Sequence, residues 1–287
     1  MIEKLKKKYK IGLVLSGGGA KAAYQIGVLK SFKRYGLYEA ISSVSGTSAG
    51  ALNVGLFLQD DLELAQKIWM NTTKSEILNF KYRNLKRAYL CSLDGIKDML
   101  NDKNIDYKKM SESKVKSYIT YCIKDKHIFD LKTIYYQLNG SSIEPLKEVF
   151  TASCRIPFIY ERLYIENKVC LDGAVGNNIP IDPVYKDGCD LIFVIHFDRS
   201  YPINYKLYKN AKIIEIVPQN IPTGFLNDIF SIQQNQIVDR INEGYKDGER
   251  MINSLFDENV DCVKKQKLRN NFTIDSITNK FNNMIMK

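Results

Sequence analysis

Histidine is nearly missing from this chain: His127 and His196 are the only two in 287 residues. The six cysteines, Cys91, Cys122, Cys154, Cys170, Cys189 and Cys262, form no CxxC pair and stand near no histidine cluster. That spacing indicates neither a zinc site nor a disulfide framework, and it suits reduced thiols in a cytosolic protein. Arginine is scarce too, with 9 against 33 lysines. Nucleic-acid surfaces lean on arginine for bidentate contacts, so the formal net charge of +10 points to an acidic lipid surface rather than to nucleic acid. No apolar stretch is long enough to span a bilayer. The run Ile11 to Leu15, behind a basic Lys4 to Lys10, is shorter than a signal-peptide core. There is no internal repeat and no low-complexity linker, and one domain is the simplest count. The expected setting is the cytoplasm, with peripheral attachment to a membrane.

What is present is a globular composition, 45% apolar and 11% aromatic, sufficient for one large core. "KIGLVLSGGGAKAAYQIGVLKSFKRYG" reads as a buried strand, a glycine turn and a helix with Ala23, Ile26, Leu29 and Phe32 at helical spacing. Lys33, Arg34 and Gly36 mark the helix end. A second strand, Ile41 to Ser45, runs into Gly46 and a further helix, which is the alternation of a parallel α/β sheet. Both glycine turns then fall at carboxyl ends of strands, where such sheets bind ligands. Residues 71–139 are richer in Lys, Tyr and Asn and are expected as a partly helical insertion or cap, although Val115 to Ile123 alternates like a strand. Beyond it come a helix from Glu144 to Ala152, a hairpin of Arg162 to Ile165 with Lys168 to Leu171, the buried strands "LIFVIHF" and "KIIEIV", and an amphipathic helix from Leu226 to Leu255.

Gly46, Thr47, Ser48, Ala49 and Gly50 form G-x-S-x-G. A serine on a sharp strand-to-helix turn has strained backbone angles, and flanking glycines keep its neighbours from clashing, so the hydroxyl stands exposed at the sheet edge. The rival reading of the pattern is a small-residue loop packed under a helix. "SGGGAK", Ser16 to Lys21, sets three glycines before a helix N-terminus, where free N–H groups can hold a phosphate or a developing oxyanion. Gly17, Gly19 and Ala22 also satisfy a dinucleotide pattern. That pattern wants an acid at the end of the second strand, and the nearest, Glu39, precedes the strand. No Gly-Lys-Ser/Thr follows for a Walker A loop.

Ser48 needs a base. His127 lies in the charged run "KDKHIFD", and His196 lies inside an apolar strand, so a solvated and a packed role respectively are the readier readings. Asp172 ends a strand before Gly173 and Ala174, where a carboxylate could take the serine proton directly if burial raises its proton affinity. A Ser48–Asp172–His196 triad remains the alternative in chain order.

Taken in chain order, glycine turn, elbow and Asp172 block, the three stretches resemble the patatin-like phospholipases. "ASCRIPFIY" and "NNIPIDP" are similar to the blocks that flank that family's aspartate, and "INEGYKDG" is similar to the closing helix of its bacterial members. The resemblance covers about Lys10 to Arg250 and departs at Ala22, where the family usually has glycine. It implies a three-layer α/β/α fold with a mainly parallel central sheet, a hydrolase domain over 1–258 and a basic tail over 259–287. It implies an oxyanion hole at Gly17, Gly18 and Gly19, Ser48 as nucleophile and Asp172 as the other member of a dyad. The activity implied is hydrolysis of phospholipid or lysophospholipid esters through an acyl-enzyme, with no metal or organic cofactor and a lipid partner at a membrane surface. A nucleotide-binding protein using the Gly17 to Gly19 turn and an idle lipid-binding module are the rivals.

Overall fold

The computed structural model describes residues 2–73, 89–124, 131–219 and 232–256. The first strand, β1 (Ile11–Leu15), and a later one, β7 (Leu191–Ile195), are buried along their whole lengths. Their unbroken apolar sequence is what a strand covered on both faces requires. β2 (Ile41–Thr47) lies beside β1, and β8 (Lys212–Ile216) beside β7. The strands β3 (Lys116–Lys124), β4 (Leu131–Gln137), β5 (Leu163–Ile165) and β6 (Lys168–Asp172) complete an eight-stranded sheet of order β5-β6-β3-β2-β1-β7-β8, with β4 also paired to β3. β1, β2, β3, β7 and β8 are mutually parallel, and β4, β5 and β6 enter by antiparallel pairing.

The helices are α1 (Ile2–Lys8), α2 (Ala23–Arg34), α3 (Ala49–Leu58), α4 (Leu62–Asn71), α5 (Asp94–Leu100), α6 (Tyr107–Ser111), α7 (Ile143–Ser153), α8 (Ile181–Lys186) and α9 (Gln234–Phe256). Alternate residues of the central strands serve opposite layers. Val14, Ile192 and Val194 pack with Ile181 and Val184 of α8, whereas Phe193 meets Phe32 of α2 edge-on with ring centroids 5.3 Å apart. α2 and α9 approach backbone to backbone at Gly27 and Gly244. Residues Met1–Asn253 form one compact unit and Ser254–Lys287 a second, of which the described residues include only the end of α9.

The stretch 71–139 differs from the insertion or cap expected of it. β3 takes β2 along Lys116–Thr120 and β6 along Tyr121–Lys124 of one edge and carries β4 on its other edge, while residues 89–111 supply the short helices α5 and α6. Parallel pairing of Ser43–Thr47 with Lys116–Thr120 makes β3 a structural continuation of the core. His127, Cys262, the residues 226–231 expected at the start of the last helix and the tail 259–287 lie outside the described residues.

Candidate active site

The site is assembled on one edge of β3. β2 runs parallel to it and ends with Thr47 opposite Thr120, while β6 runs antiparallel and ends with Asp172 opposite Tyr121. Two carboxyl termini therefore converge on consecutive residues of a single strand. Ser48 follows β2 with φ 55° and ψ −126°, a conformation costing a side-chain-bearing residue about 1–3 kcal/mol. The flanking glycines explain the motif's spacing. A Cβ on Gly50 would lie 2.2 Å from the Leu15 carbonyl oxygen, and one on Gly46 would lie 2.5 Å from the Gly50 oxygen.

The Ser48 hydroxyl donates to Asp172 Oδ2 at 2.7 Å across a sequence separation of 124. Asp172 Oδ1 accepts the Ala174 N–H at 2.8 Å, and the Asp172 N–H donates to the Arg155 carbonyl at 2.8 Å. The carboxyl is buried, and that burial pushes its pKa up to about 7 despite the opposing pull of the Ala174 N–H and the Ser48 hydroxyl. This is the environment in which a carboxylate becomes a competent base near neutrality. Behind the elbow, the Ser48 N–H donates to Ser153 Oγ at 2.8 Å, and Ser153 Oγ donates to the Thr120 carbonyl at 2.7 Å. Ser153 ends α7 inside "ASCRIPFIY", and only its place in that block marked it in the sequence.

The glycine turn lies against the nucleophile. A Cβ on Gly17 would stand 3.0 Å from Ser48 Cβ and 2.5 Å from Asn178 Oδ1. The three glycines are not equivalent: the Gly17 N–H donates to the Asn178 carbonyl at 3.4 Å, whereas the N–H groups of Gly18 and Gly19 have no acceptor among the described residues. The Ala49 N–H, at the start of α3, is likewise without one. Three such donors beside a serine can hold a negatively charged oxygen. Ala22, the departure from the family pattern, is fully buried behind this turn in the 3₁₀ segment Gly19–Ala22.

His196 is elsewhere engaged. Its Nε2 is 2.7 Å from Glu215 Oε2 on β8, and its backbone N–H donates to the Ile216 carbonyl at 3.2 Å. The His196 contact, reinforced by the Tyr205 hydroxyl, holds the Glu215 carboxyl below the usual carboxylate range despite partial burial. The histidine is thus paired with Glu215, not with Asp172, and the triad arrangement is not formed. Glu39 sits in the 3₁₀ turn before β2, about 20 Å along the strand from the glycine turn at ~3.3 Å per residue. It is too far to serve a ribose there. Among the described residues no group of three His, Cys, Asp or Glu is placed to hold a metal. Cys91, Cys122, Cys154, Cys170 and Cys189 are free and buried.

The layered α/β sheet is a fold that comparison with solved structures recovers. Human GIVD cytosolic phospholipase A2 superposes with a TM-score of 0.58 at 10% identity, over 86% of this chain and 59% of that one, a likeness of fold. The family model for patatin-like phospholipase matches residues 13–185, and the chain belongs to that family. A patatin-like phospholipase domain-containing protein of Caenorhabditis elegans is 30% identical over 178 residues, 60% of this chain. The lysophospholipase NTE1 of Eremothecium gossypii is 26% identical over 209 residues, 68% of this chain. In each case the match spans 12% of the relative's own length.

Proposed function

We propose that the protein is a serine-dependent lipid acyl hydrolase that cleaves carboxylic esters of phospholipids or lysophospholipids through a Ser48–Asp172 dyad. The observation that carries this reading is the 2.7 Å hydrogen bond from the Ser48 hydroxyl to a buried carboxylate whose pKa is raised to about 7. Membership of the patatin-like phospholipase family and the lysophospholipase among its relatives support a lipid ester as substrate. Asp172 takes the Ser48 proton as Oγ attacks the ester carbonyl, and the N–H groups of Gly18, Gly19 and Ala49 stabilise the oxyanion. The same carboxyl then protonates the leaving alcohol. A water activated by Asp172 cleaves the acyl-serine ester, releasing the fatty acid and restoring the hydroxyl. An apolar crevice lined by Leu52, Leu56, Ile68, Trp69, Met110 and Phe150 lies along α3, the helix that Ser48 opens.

Access to lipid is peripheral in this reading. Among the described residues no helix is long and apolar enough to cross a membrane, and five free cysteines suit the reducing cytoplasm. The Lys-rich N-terminus precedes β1, whereas the glycine turn follows it. The two stand at opposite ends of that strand. Leu90 and Phe158, five residues beyond Ser153, are 62% and 63% exposed and are better placed to meet a lipid surface.

The test is release of p-nitrophenol from a medium-chain ester by wild type, Ser48→Ala, Asp172→Asn and His196→Ala, each checked for folding. Loss in the first two variants with activity kept in the third is expected. Equal rates for wild type and Ser48→Ala would overturn the mechanism.

A further inference from the structure

α3 is apolar along its length except at one position, Asn53, which is fully buried. Burying a carboxamide is costly unless its donors and acceptors are met, so a lone one in a core helix calls for a reason. Asn53 Nδ2 donates to the Ala22 carbonyl and to Gln25 Oε1, both at 2.8 Å. Gln25 is also fully buried, and its Nε2 donates to the Ser16 carbonyl at 2.9 Å. Trp69 of α4 donates from Nε1 to Asn53 Oδ1 at 2.8 Å. Three side chains from three helices thus form one satisfied chain of hydrogen bonds inside the core.

Its two endpoints are informative. Ser16 and Ala22 are the residues on either side of Gly17–Lys21, so the chain grips the glycine turn at both ends. The turn needs such a grip, because a run of three glycines has unusual backbone freedom and its two unpaired N–H groups must keep a fixed aim. The Ser16 carbonyl is also where the nucleophile elbow closes in, since a Cβ on Gly50 would lie 2.5 Å from it. The same oxygen is therefore touched by the relay from one side and the elbow from the other.

We propose that Gln25, Asn53 and Trp69 are positioning residues that set the glycine turn against Ser48. The inference rests on the hydrolase reading given above. It extends that reading to side chains that touch no reacting atom.

The experiment compares ester kinetics and backbone amide spectra of wild type, Gln25→Met, Asn53→Leu, Trp69→Phe, the Gln25→Met/Asn53→Leu double variant and a control, Ser31→Ala. Ser31 is equally buried on α2 but bonds only within its own helix, to the Val28 carbonyl. A misaimed oxyanion turn should lower kcat by about tenfold or more in Gln25→Met and Asn53→Leu with KM within about twofold. Trp69→Phe, the mildest change, should lower it about threefold, and the double variant should fall no further than the worse single one, as members of one unit do. In the amide spectra of Gln25→Met the Gly18 and Gly19 signals should shift or broaden, and in Ser31→Ala they should not. Folded Gln25→Met and Asn53→Leu with wild-type kcat, or with unchanged Gly18 and Gly19 signals, would overturn the proposal, as would an equal loss in Ser31→Ala. The spectra keep it separable from the hydrolase reading: if wild type is no faster than Ser48→Ala, that reading fails while the glycine signals still decide the relay.

Discussion

Ser153 holds Ser48 by the backbone: its hydroxyl accepts the Ser48 N–H at 2.8 Å and donates a hydrogen bond to the Thr120 carbonyl at 2.7 Å. The elbow is thereby tied to the strand on which the site is assembled. Ser153→Ala leaves a buried donor and a buried acceptor unpaired, at about 1–3 kcal/mol. A lower melting temperature and a kcat reduced about tenfold are expected, with Ser153→Thr recovering part of both. Thermal unfolding and ester kinetics on the three proteins measure this.

The Asp172 pKa, raised to about 7, has a kinetic and a thermodynamic signature. As the base it must be ionised, so kcat/KM should climb with pH and level off above about 7. Because the folded carboxyl holds its proton more tightly than the unfolded one, the stabilising contribution is fully present below the ordinary value of 3.8 and is lost as pH rises through about 7. The neutral Asp172→Asn should therefore be inactive yet melt higher than wild type above pH about 7, with the difference closing towards pH about 4. A wild type that gains stability relative to Asp172→Asn on the alkaline side would contradict the assignment.

The contact at Gly50 makes a sharp steric prediction. With a methyl group 2.2 Å from the Leu15 oxygen, Gly50→Ala should lose more than about 3 kcal/mol or fail to fold. Gly36→Ala meets nothing within 4 Å and carries only the strain of φ +75°, about 1 kcal/mol. Urea denaturation of the two side by side separates collision from conformational preference.

Membrane contact separates from chemistry in a fourth comparison. Phe158 combines 63% exposure with φ 65°, and the neighbouring Leu90 N–H donates to the Ile159 carbonyl at 3.1 Å. Replacing Leu90 and Phe158 together by Asp should weaken sedimentation with phospholipid vesicles by about tenfold or more per side chain removed from lipid, from the ~1.5–3 kcal/mol each would bury. Hydrolysis of a soluble short-chain ester should be unaffected. Changing Lys6, Lys7 and Lys8 to Gln should alter neither, given the position of α1.

Sequence legibility followed how local each constraint is. Ser48 and Asp172 were readable because sharp turns demand glycine beside them, and β1 and β7 because strands covered on both faces are apolar throughout. The sheet position of β3 was not readable: Val115 to Ile123 alternates as a strand should, but pairing with β2 some 70 residues earlier leaves no mark on that alternation. Ser153, Gln25 and Asn53 are ordinary polar residues on helices, and only three-dimensional packing reveals what each one holds. His196 was legible as a packed residue, and it lies buried one position beyond the end of β7, paired with Glu215.

The meeting of Thr47 and Asp172 on consecutive residues of β3 also bears on how this scaffold can diverge. The gap between nucleophile and carboxylate is gauged by one peptide step, not by the 124 residues of chain that join them. Segments can lengthen or shorten between β2 and β3, or between β4 and β6, without changing that gauge. The scaffold thus leaves room to graft new loops and modules around an unchanged reaction centre.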